Sequence, residues 1–136
     1  MAEAIEEPGY FADETTKEGY VRLKIKINGL KVKSAGLSIT NKIRGIHSHP
    51  EGKNAIIEKP EFNNRGFVLH VKGGIDTDMK GAHYGLVIKQ LPFDIEPTDC
   101  YLKGEDGWLF LFLKKKEVYQ SWEKYIRDGN LETAVD

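Results

Sequence analysis

The chain contains a single cysteine, Cys100, among 136 residues. No intrachain disulfide can form, and a reducing compartment, cytoplasmic or nuclear, is the expectation. No apolar run approaches the ~20 residues a membrane helix needs. The opening MAEAIEEPGYFADETTKEG has no basic stretch followed by an apolar one, so it does not read as a secretory signal. No Gly-x-Gly-x-x-Gly or Gly-Lys-Ser/Thr occurs, and Gly73-Gly74 and Gly81 read as a hairpin loop rather than a phosphate cradle. No serine or cysteine stands in a recognisable nucleophile context. Catalytic residues, cofactors and metals are therefore not expected.

What is present fits an ordinary globular domain: 40% hydrophobic and 30% charged residues. A chain of this length buries roughly two-thirds of its unfolded surface, enough for one core. The net charge of −1 hides an asymmetry. Residues 1–18 hold six acids and one base, leaving the other 118 residues at +4. Residues 1–18 thus read as an acidic, solvated tail, residues 19–128 as the domain and residues 129–136 as a C-terminal tail.

Period-two patterning dominates the domain. Val21, Leu23, Ile25 and Ile27 alternate with Arg22, Lys24 and Lys26, which marks a strand with one buried and one basic face. Asn28-Gly29 predicts a tight hairpin leading into a second strand over Leu30 to Thr40. Further strands are expected at Asn54 to Glu58, Phe67 to Val71, His83 to Leu91, Cys100 to Lys103 and Trp108 to Leu113. Val118, Trp122 and Tyr125 or Ile126 recur at helical spacing, with Gly129 as the stop. About seven short strands with one terminal helix predict an all-β fold, an antiparallel β-sandwich.

Four features bear on function. His47-Ser48-His49-Pro50 resembles the zinc-binding start of the JAMM metalloproteases, which would make a zinc-dependent enzyme. In that family a serine and then an aspartate follow shortly, and Pro50 to Phe62 contains neither. His70 and His83 are placed to pair across strands, the usual outcome being structural. Cys100 reads as an inert core thiol. Trp108 to Leu113 is apolar on both faces: Leu109, Leu111 and Leu113 on one, Trp108, Phe110 and Phe112 on the other. A sandwich strand needs one apolar face. The second is to be covered by the C-terminal helix, through Val118 and Trp122, or by a partner. Arg22, Lys24 and Lys26 lack the interleaved aromatics of a nucleic-acid site, with Tyr20 alone placed to help, so nucleic acid is not expected as a ligand.

Tyr84-Gly85-Leu86-Val87-Ile88, the link Leu91 to Pro97, the pair Asp99 to Lys103 and Gly107 to Lys114, and Gln120-Ser121-Trp122 follow in an order that resembles the CS domain. This β-sandwich is shared by CHORD-containing proteins, the small co-chaperone of heat-shock protein 90 and NudC-type proteins. The resemblance runs over roughly residues 20–125, with Asn41 to Arg65 longer than the family pattern. It implies a non-catalytic protein-interaction module, a co-chaperone or an adaptor in a larger complex. The same resemblance admits a scaffold module of the Tudor-type germline proteins without a chaperone link. The basic stripe and the second apolar face place Arg22, Lys24, Lys26, Trp108, Phe110, Phe112, Lys114 and Trp122 in the expected partner-binding role.

Overall fold

The computed structural model describes residues 5–33 and 49–133. It is an all-β protein of two antiparallel sheets. Strands β1 (Tyr10–Asp13), β2 (Tyr20–Lys26), β8 (Trp108–Lys114) and β7 (Tyr101–Glu105) form the first sheet, in the order β1-β2-β8-β7. The second is built on β5 (Phe67–Gly73), with β3 (Ala55–Ile57) and β4 (Glu61–Phe62) on one flank and β6 (His83–Ile88) on the other. Among the described residues one short α-helix, α1 (Glu123–Arg127), follows β8.

The core lies between the sheets. Val21, Leu23 and Ile25 from β2 meet Leu109, Leu111 and Leu113 from β8, all fully buried. Phe67, Leu69 and Val71 from β5 and Leu86 and Ile88 from β6 supply the opposing layer. Each such side chain contributes roughly 1.5–3 kcal/mol of burial, so the strict alternation of these strands fixes which face turns inward.

Several expectations are corrected. The acidic segment 1–18 is not simply a solvated tail. Tyr10–Asp13 pairs with β2 in full register, Tyr10 opposite Ile25 and Asp13 opposite Arg22. Further upstream, Glu6 bridges to β6: its N–H donates to His83 O and its carbonyl accepts from Gly85 N. Two of the acids that suggested solvation, Asp13 and Glu14, have specific partners. Asp13 pairs with Arg22 at 3.0 Å, and Glu14 accepts hydrogen bonds from Lys115 Nζ, Ser121 Oγ and Trp122 N. At the other end, Leu131 is buried, its N–H donates to Tyr10 Oη, and Glu132 accepts from Lys89 N and Gln90 N. Residues 129–133 are thus fastened to the domain.

The Asn28-Gly29 turn forms, with Gly29 at φ +82°, a left-handed conformation that costs glycine little. It does not make the expected hairpin, because β2 already has β1 and β8 on its two edges. The chain instead crosses to residues 51–53, where Val32 bridges Gly52 and Lys33 N donates to Glu51 O. The rest of the strand expected to Thr40 lies outside the described residues. The expected terminal helix shrinks to Glu123–Arg127. Lys115 explains the shortening: its side chain is buried between Glu14 and Gln120 O, which holds residues 115–121 in a turn and leaves Val118 and Tyr119 exposed.

Candidate binding face

The outward face of the first sheet is set by register. Directly opposed residues in an antiparallel pair point to the same side, so each row across the sheet is a row on its surface. One row is Phe11, Lys24, Phe110 and Lys103; the next is Asp13, Arg22, Phe112 and Tyr101. A third joins Lys26, Trp108 and Glu105, and a fourth joins Tyr20 and Lys114. Inward-facing leucines and isoleucines force this alternate set outward.

Cations and rings interleave throughout. Lys24 and Lys26 hold their ammonium groups 4.4 and 4.5 Å from the Trp108 ring centre. Arg22 lies 5.4 Å above Phe110. Lys17 and Lys114 lie 4.6 and 5.2 Å from Tyr20, and Lys103 lies 5.8 Å from Phe112. Tyr101 stacks on Phe112 at 4.6 Å with only 9° between ring planes, and Lys17 Nζ donates to Tyr101 Oη at 2.7 Å. Cation–π contacts at exposed sites contribute about 0.5–1 kcal/mol each; the long alkyl stems also shield the rings from water.

Charge on the face is unbalanced. Six cations meet two carboxylates, Asp13 and Glu105. Asp13 is committed to Arg22. Burial works to raise the Asp13 pKa, but hydrogen bonds from Thr16 and the Arg22 guanidinium outweigh it, and the carboxyl sits below the ordinary aspartate value. Burial raises the Tyr20 phenol by more than the neighbouring Lys17 lowers it. Among the described residues no carboxylate pairs with Lys17, Lys24, Lys26, Lys103 or Lys114. The face therefore offers anion recognition next to aromatic surface.

Of the residues singled out in the sequence, Arg22, Lys24, Lys26, Trp108, Phe110, Phe112 and Lys114 come together here. Trp122 does not. It is fully buried in the core, 6.0 Å from Phe93 between ring centres, and leaves the Phe110–Phe112 face to the lysine stems and Tyr101. Its Nε1–H has no hydrogen-bond partner among the described residues. The expectation that Tyr20 is the only aromatic beside the basic stripe is also corrected. Tyr101 and Lys103 alternate with the inward Leu102, a signal present in the sequence. Phe11 and Lys17 lie within residues 1–18, whose acidic composition reads as a solvated tail.

The other candidates lie elsewhere. His49 Nε2 sits 2.6 Å from Ile57 O, while His47 lies outside the described residues. His70 Nδ1 and His83 Nε2 are 3.1 Å apart on the second sheet, and among the described residues no group of three potential metal ligands forms. Cys100 Sγ donates to Glu96 O and accepts from Lys114 N, and burial pushes its pKa up to about 11. A thiol held protonated in this way packs rather than reacts.

No protein-family model matches the chain, and no curated protein matches it.

Proposed function

We propose that this domain is a non-catalytic protein-interaction module, a co-chaperone or adaptor of the CS type, and that its outward first-sheet face receives an acidic surface of the partner. The observation behind this reading is the set of lysines that interleave with aromatic rings and have no carboxylate partner among the described residues. An anionic partner satisfies those charges without the cost of breaking existing ion pairs. Aromatic area beside them supplies the apolar burial that exposed ion pairs alone do not. The order of strand and link motifs that resembles the CS domain supports heat-shock protein 90, or a complex built around it, as the partner.

Affinity purification on the wild-type chain and on a Lys24→Glu/Lys26→Glu variant tests this reading, with heat-shock protein 90 then titrated directly by calorimetry. Retention by the wild type, loss by the folded variant, and binding that survives nuclease treatment are the expected results. Equal capture by both chains removes the face from the function. Loss of all capture on nuclease treatment removes the protein partner.

A further inference from the structure

The distribution of charge along the face, rather than its total, restricts what docks there. Among the described residues, four of the face's five lysines without a carboxylate partner form two poles along β2 and β8, and the fifth, Lys103, lies to one side on β7. At one end Lys24 and Lys26 share the Trp108 ring; at the other Lys17 and Lys114 share Tyr20. Tyr20 and Lys26 are the ends of β2, so the poles lie about 20 Å apart at ~3.3 Å per residue. Between them the central cation, Arg22, is already neutralised by Asp13. The middle otherwise presents the half-buried ring of Phe110 and the exposed ring of Phe11, with Phe112 buried beneath Tyr101.

We infer that this face takes an extended acidic peptide segment lying along β2 and β8, with an anionic side chain at each end and apolar side chains between. The inference rests on the protein-binding role proposed above. A compact anion reaches one pole only. In an extended peptide, side chains six residues apart point to the same side and span the required length, because the spacing is even. The chain's own β1 already shows the pattern on this surface, with Phe11 and Asp13 two residues apart and Asp13 on Arg22. Single-stranded nucleic acid fits less well. Its phosphates are continuous, whereas along β2 and β8 between the poles the described residues hold no cation besides Arg22, which Asp13 neutralises. Base stacking also needs open ring faces. Here Trp108, Tyr20 and Phe110 carry cations, and Tyr101 and Phe112 stack on each other.

The test is fluorescence anisotropy on the full chain with three probes. The first is a labelled peptide with glutamates six residues apart and apolar side chains at the two intervening same-side positions. The second is its isomer of equal composition with the glutamates adjacent. The third is oligothymidine. The spaced peptide should bind about tenfold tighter than the isomer, and Lys24→Glu/Lys26→Glu and Lys17→Glu/Lys114→Glu should each weaken it about tenfold. The melting temperature of each variant is measured alongside, and charge reversal at one pole in a folded chain must suffice. Equal binding of both peptides overturns this inference while leaving an acidic protein partner in place. Oligothymidine binding with neither peptide binding overturns both readings. Absence of binding by every probe overturns the extended-peptide inference.

Discussion

Glu14 joins parts of the chain 101 and 108 residues apart. Its carboxylate receives Lys115 from the end of β8 and the backbone of Trp122 beyond it. Both side chains of the ion pair are largely buried, at 8% and 17% exposure for Lys115 and Glu14. Removing one partner of a buried pair strands the other, so Glu14→Ala should lower unfolding free energy by about 3–5 kcal/mol in urea titrations. Burial works to raise the Glu14 pKa, but Lys115, Ser121 and the Trp122 N–H lower it by more, and the net shift is downward. A carboxyl depressed in the folded state contributes stability that is complete above its unfolded pKa and lost as pH falls through the folded one. Stability should therefore decline as pH drops below the ordinary values of 4.5 for Glu14 and 3.8 for Asp13, with a shallower decline in Glu14→Ala. Trp122 is the second residue of this kind. Trp122→Ala should cost roughly 3–5 kcal/mol by emptying a core site. Trp122→Phe should cost clearly less than truncation, because it removes a buried donor that has no partner among the described residues.

At the scale of elements, the long strands are readable and the short ones are not. In β2 and β5, seven residues each, the alternation repeats often enough to distinguish a buried face from a wet one, while the equally long β8 is marked by its leucine and aromatic faces. The four residues of β1 and the two of β4 are too few for any period to emerge. Flanking acids in β1 pointed toward solvent because their cationic partners, Arg22 and Lys115, lie 9 and 101 residues away. The helix was over-extended for a related reason: the spacing of Val118 and Trp122 looks helical, while a buried lysine holds the chain in a turn. The binding face was half legible. Its β2 and β8 side chains follow from alternation within each strand, but the rows that bring Tyr101, Lys103 and Phe11 beside them depend on pairing between distant strands. Deleting residues 1–13 should now lower the melting temperature clearly, where a solvated tail would change nothing. It uncovers the β2 edge and removes Tyr10 from the core margin. Differential scanning calorimetry of the truncated chain checks this.

Over the whole molecule the two outward faces differ in kind. The first sheet carries the unbalanced cations. The second mixes Ile56, Val68 and Val87 with Lys72, His83 and Glu61, and its Lys72 has Glu58 at 3.8 Å. Electrostatic capture should therefore be one-sided. Lys72→Glu should leave partner affinity unchanged, while Lys24→Glu/Lys26→Glu weakens it. The wild-type association rate should fall as ionic strength rises, since the Debye length shortens from about 10 Å at 0.1 M to 3 Å at 1 M. Stopped-flow measurements across a salt series separate the two faces.

The bond from Trp122 N to Glu14 spans 108 residues and has a consequence for synthesis. The arm that carries β1 is made long before its lock. At roughly 5–20 residues per second, Glu14 waits on the order of 5–20 s for Trp122 to be added. During that interval β1 has β2 to pair with but neither β8 nor the C-terminal clasp behind it. A nascent chain halted before Lys115 presents an acidic arm with no buried lysine to meet it. Premature termination near the C-terminus should therefore loosen the N-terminus as well. The β1 arm and the Trp122 segment mature together, and quality control at the ribosome meets the domain as an open sheet until Trp122 emerges.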